Sequence, residues 1–193
     1  MSQLCIRAVE PADLPRIAEI YADAVDNGTA TYELEAPTLE EMRSRHAALL
    51  AQGYPYIVAE RDGQVVGYAY AGPFRARAAY RFLVEDSIYL APEAKGAGVG
   101  TALMRALIEE CTRRGFRQMI AVIGDGRSDS PSVRLHERMG FSHTGSMPGS
   151  GYKHGRWLDT ALMQLSMNGG AALPPDPDSV PERMFRESQA GKA

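Results

Sequence analysis

The chain has 193 residues, 45% of them hydrophobic and 23% charged, with a formal net charge of −3 from 21 basic and 24 acidic side chains. That length holds one domain with a substantial core, or a domain and an appendage, and the composition is that of a soluble globular protein. A slight acidic excess without a basic cluster excludes the electrostatic footprint of a nucleic-acid binder and of a polybasic membrane patch, so neither nucleic acid nor membrane is expected as a partner.

The N-terminal residues carry no basic leader followed by an apolar stretch, and no run of about 18 apolar residues occurs in the chain, which points to the cytoplasm. Leu4, Ile6 and Ala8 alternate as in a short first strand, and Glu10-Pro-Ala-Asp13 opens a helix whose buried face is Leu14, Ile17, Tyr21 and Val25. A polar connection, Asn27-Gly-Thr-Ala-Thr-Tyr32, follows. Thr38-Leu-Glu-Glu41 is a capping box for a second helix with Leu39, Met42, Leu49 and Leu50 inward. Asp62-Gly63 is the residue pair of a type I′ hairpin and joins strands over 56–61 and 64–71. Gly72-Pro73 ends that pair, Phe74-Arg-Ala-Arg77 follows, and the next strand is expected from Tyr80 to Leu90. A helix to about Arg114 buries Leu103, Met104, Leu107, Ile108 and Cys111 and stops at Gly115. A strand over Met119 to Ile123 precedes a short helix opened by Ser130-Pro131 and carrying Val133, Leu135, His136 and Met139. Phe141 onward and Leu158 to Met167 supply the last strands. From Asn168 the chain is rich in proline and glycine, and residues 168–193 are expected to form a flexible tail behind a single domain of residues 1–167. Two cysteines, Cys5 and Cys111, are too few for a disulfide framework and lack metal-ligand spacing, so both are expected as reduced core residues and no metal is expected.

The chemistry concentrates in Glu85-Asp-Ser-Ile-Tyr-Leu-Ala-Pro-Glu-Ala-Lys-Gly-Ala-Gly-Val-Gly-Thr101, where a strand runs through a glycine-dense turn into a helix. Glycines 96, 98 and 100 let backbone N–H groups approach a ligand closely, and the helix start adds unpaired donors and the positive end of its dipole. Lys95 adds a full charge, so the turn suits a phosphate. A Walker loop is excluded because Val99-Gly100-Thr101 lacks its lysine. A dinucleotide fingerprint is excluded because Thr101 stands where a third glycine belongs.

The remaining pattern, a basic residue and then x-x-Gly-x-Gly after an apolar strand, resembles the pyrophosphate loop of the GNAT superfamily of N-acetyltransferases, with Lys95 where Arg or Gln is usual. Four further segments resemble the phosphinothricin and methionine sulfoximine N-acetyltransferases within it: Gly67-Tyr-Ala-Tyr-Ala-Gly-Pro-Phe-Arg-Ala-Arg77, Tyr80-Arg-Phe-Leu-Val-Glu-Asp-Ser-Ile-Tyr89, Ser132-Val-Arg-Leu-His136 and Gly151-Tyr-Lys-His-Gly-Arg-Trp157. The resemblance implies an α/β (α+β) fold, a mixed central sheet of six to seven strands with helices on both faces. It implies acetyl-CoA as co-substrate and a small amine carrying an anionic group as acceptor. It further implies catalytic roles for Glu85, as general base, and His136. Cofactor contacts are implied for Ile88, Tyr89 and Leu90, for Lys95, Gly96, Ala97, Gly98, Val99, Gly100 and Thr101, and for Asp129 and Ser132. Asp129 stands where an asparagine is usual, and the segment before it is slightly longer than typical.

Arg75 and Arg77, two apart on an extended segment, present guanidinium groups to one side and suit a carboxylate or phosphinate. They are assigned to the acceptor's anion, with Phe74 and Tyr32 as apolar walls. Trp157 either walls the same pocket or fills core. Strand alternation puts Asp86 on the sheet face opposite Glu85. The family also implies a homodimer, for which an exposed sheet edge near the C-terminus is available. Two other readings stand beside this one: an acetyltransferase for protein N-termini or polyamines, expected to have an acidic acceptor cleft, and a non-catalytic acyl-CoA-binding module.

Overall fold

A computed structural model of the chain describes residues 4–191. Seven strands, β1 (Leu4–Ala8), β2 (Tyr56–Arg61), β3 (Gln64–Pro73), β4 (Leu83–Leu90), β5 (Gln118–Gly124), β6 (Ser142–Lys153) and β7 (Arg156–Ser166), form one sheet in the order β1-β2-β3-β4-β5-β7-β6. Every neighbouring pair is antiparallel except β4 and β5, which are parallel. Both tight hairpins follow from turn chemistry. Asp62 and Gly63 adopt φ of 52° and 79° between β2 and β3, and His154 and Gly155 adopt 50° and 74° between β6 and β7, as a type I′ turn requires.

Side-chain alternation sorts each strand's residues between two cores. On one face α3 (Val99–Arg113) and α4 (Pro131–Arg138) pack through Leu103, Met104, Leu107, Cys111 and Val133 against Val84, Met119 and Met163. Burial of each such leucine contributes about 1.5–3 kcal/mol. On the other face α1 (Leu14–Asn27) and α2 (Leu39–Ala51) cover Val58, Tyr68 and Tyr89 with Leu14, Ile17, Tyr21 and Met42. Tyr56, Tyr68, Tyr70 and Tyr89 stack there across β2, β3 and β4, and Tyr21 meets Tyr89 edge-on.

Several expectations are corrected. Cys5 is exposed on the edge strand β1, on the face opposite the half-buried Leu4 and Ile6, whereas Cys111 is buried. Leu50 is 47% exposed, one position beyond the inward stripe of α2. At the start of α2, Thr38 Oγ1 accepts from the Glu41 N–H at 3.2 Å, but the Glu41 carboxylate goes to Arg45 and does not close the box. The strand expected from Tyr80 begins at Leu83, because residues Ala78–Tyr80 form a single 3-10 turn. The described part of the 168–193 segment carries α5 (Val180–Ala190), bonded to the end of α3 by the Val180 N–H to the Arg114 carbonyl at 2.9 Å. Its prolines stand in the connection, and Pro181 occupies the first turn of the helix, where a missing N–H costs nothing.

Candidate active site

The parallel pairing of β4 with β5 lasts only three positions, ending at Glu85 opposite Ile120. Beyond it β4 stays paired to β3 and β5 to β7, so the two strands part and the β5-facing backbone groups of β4 have no strand partner. A cleft of about 650 Å³ fills the gap, lined by Ile88, Tyr89 and Leu90 on one side and Val122 and Gly124 on the other.

Glu85 stands half-buried where the strands separate, on the face of Tyr89 and the tyrosine stack. Among the described residues its carboxylate makes no hydrogen bond or ion pair. Desolvation, with the nearby charge of Asp86 as a smaller cause, pushes its pKa up to about 7.

The glycine turn lies at the cleft mouth beside Lys95, which lines it. Gly96 and Gly98 have φ of 76° and 79°, and a Cβ at either would meet nothing within 4 Å, so it is the backbone conformation, and no contact within the protein, that demands these glycines. Gly98 is the N-cap of α3, and the first helical bond runs from the Ala102 N–H to the Gly98 carbonyl at 3.1 Å. The N–H groups of Val99, Gly100 and Thr101 therefore precede any helical acceptor, and a bound phosphate fits them.

Asp86 points to the α3 and α4 face and meets His136 there, with both side chains 2% exposed. His136 is saturated. Its Nδ1–H donates to the Ser132 carbonyl at 2.8 Å, because a carbonyl only accepts, and its Nε2 lies 3.0 Å from Asp86 Oδ2. Burial works against the imidazolium, but the hydrogen bond and charge of Asp86, aided by the Ser132 carbonyl, outweigh it and hold the His136 pKa above its ordinary value. Asp86 Oδ1 is buried without a partner among the described residues. Sequence reasoning placed Asp86 on the correct face but missed the pairing, which joins residues 50 positions apart.

The connection between α1 and α2 forms another part of the cleft wall. Tyr32 OH hydrogen-bonds Thr160 Oγ1 at 2.8 Å, and the Lys153 ammonium donates to the Thr31 carbonyl at 3.0 Å. A Cβ on Gly151 would sit 2.6 Å from the Tyr32 ring, so that glycine provides close approach and not an unusual φ. Sequence reasoning found Tyr32 in this wall and missed Thr29, Thr31, Tyr70 and Thr160. Tyr70 reaches the cleft because the β3–β4 pairing, which joins distant parts of the chain, sets it opposite Ser87.

Other candidates lie elsewhere. Arg75 and Arg77 are exposed on the loop after β3, outside the cleft wall, and neither makes an ion pair among the described residues; Phe74 lies under the Arg75 guanidinium, 5.2 Å from its ring centroid. Asp129 is turned to Arg127 at 3.0 Å and does not line the cleft, whereas Ser132 does. Trp157 neither walls the pocket nor fills core: it is 68% exposed and packs edge-on against Tyr152. Among the described residues no cluster of three or more His, Cys, Asp or Glu side chains is placed to hold a metal ion.

The site is thus a sheet parted beside a carboxylate without a partner among the described residues, with open helical N–H groups at its mouth. The profile of the acetyltransferase (GNAT) family matches residues 17–141, and the chain belongs to that family. It is 47% identical over 171 residues to a phosphinothricin N-acetyltransferase of Alcaligenes faecalis, covering 89% of this chain and 86% of that protein. An L-methionine sulfoximine/L-methionine sulfone acetyltransferase of Pseudomonas paraeruginosa is 40% identical over 170 residues, covering 88% and 98%. The crystal structure of a GNAT superfamily phosphinothricin acetyltransferase from Sinorhizobium meliloti in complex with AcCoA superposes with a TM-score of 0.91 at 50% identity, covering 95% and 98% of the two chains.

Proposed function

We propose that the chain transfers the acetyl group of acetyl-CoA to the α-amino group of a small amino-acid analogue with an acidic group, of the phosphinothricin, methionine sulfoximine or methionine sulfone kind. The relatives' names support the acceptor class. The observation that carries the mechanism is the solitary Glu85 carboxylate, half-buried where β4 and β5 part, with its pKa near 7. Acetyl-CoA supplies an acyl thioester whose carbonyl an amine attacks, releasing the thiol.

Glu85 takes the proton of the acceptor's ammonium and frees its lone pair; a base whose pKa lies near the working pH does this best. Unpaired N–H groups along Ile88 to Leu90 stabilise the oxygen as negative charge develops on it. Lys95 and the amides of residues 96–101 hold the diphosphate. His136 has both nitrogens committed, so its part is to keep a positive charge and α4 in place beside the departing sulfur. Arg75 and Arg77, uncommitted on the loop that follows the strand partner of Glu85, take the acceptor's anion.

A thiol-release assay with purified protein and an amine panel tests this. Phosphinothricin, methionine sulfoximine and methionine sulfone should outrun spermidine and an alanine-led peptide. A faster polyamine or peptide would move the assignment to those acceptors, and silence with every amine would leave an acyl-CoA-binding module.

Two further parts of the reading concern the whole molecule. β6 is a long edge strand with Met147, Tyr152 and Trp157 exposed on its hairpin, and we assign that edge to a homodimer contact. Sedimentation showing only monomer at micromolar concentration would remove it. With both cysteines free and no described helix long and apolar enough to cross a membrane, we place the protein in the cytoplasm.

A further inference from the structure

The chain beyond Asn168 takes no part in the reaction just proposed and lies outside the matched family region, yet it is bonded into the fold at several points. Asn168 Nδ2 donates to the carbonyls of Thr112 and Phe116 at 2.8 and 2.9 Å, and the buried Arg117 guanidinium donates to the carbonyls of Gly170 and Leu173. Ser179 is buried against Gly115, where a Cβ would collide with it. These contacts bring α5 to a definite place beside the loop between β3 and β4.

One side chain joins α5 to that loop. Arg81 Nε donates to Glu182 Oε2 at 2.9 Å, its guanidinium lies 4.5 Å from the Phe82 ring centroid and 4.6 Å from that of Phe185, and its Nη1 donates to the Ala78 carbonyl at 3.1 Å. A planar group that stacks and donates in fixed directions is held in orientation as well as position, which a lysine ammonium would not be. The Ala78 carbonyl belongs to the single 3-10 turn of the loop. Tyr80 of the same turn meets Phe74 edge-on at 5.8 Å, and Phe74 carries the Arg75 guanidinium over its ring. Contacts therefore run without a break from Glu182 and Phe185 through Arg81, Tyr80 and Phe74 to Arg75.

We infer that α5 is a strut for the acceptor-binding loop: Glu182 and Phe185 grip Arg81, and Arg81 sets where Phe74, Arg75 and Arg77 stand. The three are positioning residues that act on the acceptor and not on acetyl-CoA, whose turn lies at the far end of β4. This rests on Arg75 and Arg77 being the anion clamp.

The test is steady-state kinetics of full-length Arg81→Ala, Phe185→Ala and Glu182→Gln, with Arg75→Ala in parallel and phosphinothricin as acceptor. Misplacing a binding group by about an ångström costs up to about a hundredfold, so Arg81→Ala should raise the acceptor KM roughly tenfold, with kcat and the acetyl-CoA KM within about twofold. Glu182→Gln and Phe185→Ala should move the same constant less, and Arg81→Lys should restore only part of the loss. A helix that merely stabilises the fold would lower Tm and leave the ratio of the two KM values unchanged. If Arg75→Ala raises the acceptor KM while Arg81→Ala and Phe185→Ala do not, the strut is overturned and the clamp stands. If none of the variants raises it, both fall. Should Arg81→Ala fail to fold, Phe185→Ala decides, since it keeps the ion pair.

Discussion

Glu85 and Asp86 are the same functional group on consecutive residues of one strand, and the fold treats them in opposite ways. Glu85 faces the tyrosine stack, half-open to the cleft and without a partner among the described residues, and burial drives its pKa to about 7. Asp86 faces α3 and α4, nearly sealed, and is bound to His136 at 3.0 Å. The difference comes from two facts of backbone geometry: alternation sends the side chains to opposite faces, and the pairing with β5 ends at Glu85. A carboxylate becomes a base where it is desolvated but left alone, and a structural tie where it is desolvated and given a cation.

The largest effect that would break this comparison is at Glu85. Glu85→Gln removes the proposed base and keeps the shape, and kcat/KM for the acceptor should fall by about 10²–10⁴-fold. Stability should move the other way. A folded pKa above the ordinary value means that ionisation opposes folding: the penalty is absent below about pH 4.5, grows as pH rises towards 7, and is fully present above. With allowance for solvent screening of a half-open group, Glu85→Gln should gain about 1–2 kcal/mol at pH 8, read from urea midpoints. A variant with unchanged activity would show that the solitary carboxylate is idle.

Asp86→Asn should do the opposite. Removing one partner of a buried pair leaves His136 uncompensated and costs about 3–5 kcal/mol. His136 has its folded pKa raised, so its contribution is complete below its ordinary 6.5 and is lost as pH rises through the raised value. The stability gap between wild type and Asp86→Asn should therefore be widest at mildly acidic pH and narrow above it. Equal stability of the two proteins at pH 6 would mean that the Asp86–His136 contact carries no weight.

How far the sequence reaches follows the same division between local and distant causes. Alternation along β4, the Asp62-Gly63 turn and the glycines at 96 and 98 are local matters of backbone geometry, and they were legible. Glu85 and the glycine turn could be picked out because their signal lies within a single stretch of chain. The partner of Asp86 was not, because it depends on where α4 lands on the sheet. Arg75 and Arg77 could be read as a pair but not placed relative to the cleft, and Trp157 could not be assigned, since a lone large aromatic reads alike whether it is core or exposed edge. The helix and anchors of the 168–193 segment were not legible because its composition gives no credit for bonds to Arg117 and Asn168, which lie within or just after the domain itself.

The smallest effect sharpens the comparison most, because it asks how far the two carboxylates sense each other. The Asp86 charge is the lesser cause of the raised Glu85 pKa, and desolvation is the greater. Asp86→Asn removes the charge and leaves the burial. The acidic limb of kcat/KM for the acceptor, measured with acetyl-CoA saturating, should move to lower pH yet stay well above the ordinary 4.5. A limb that fell all the way to that value would make Asp86, and not the solitude of Glu85, the source of the base. A limb that stayed where it was would mean that His136 already cancels the Asp86 charge completely, so that the two faces of the strand are electrostatically separate.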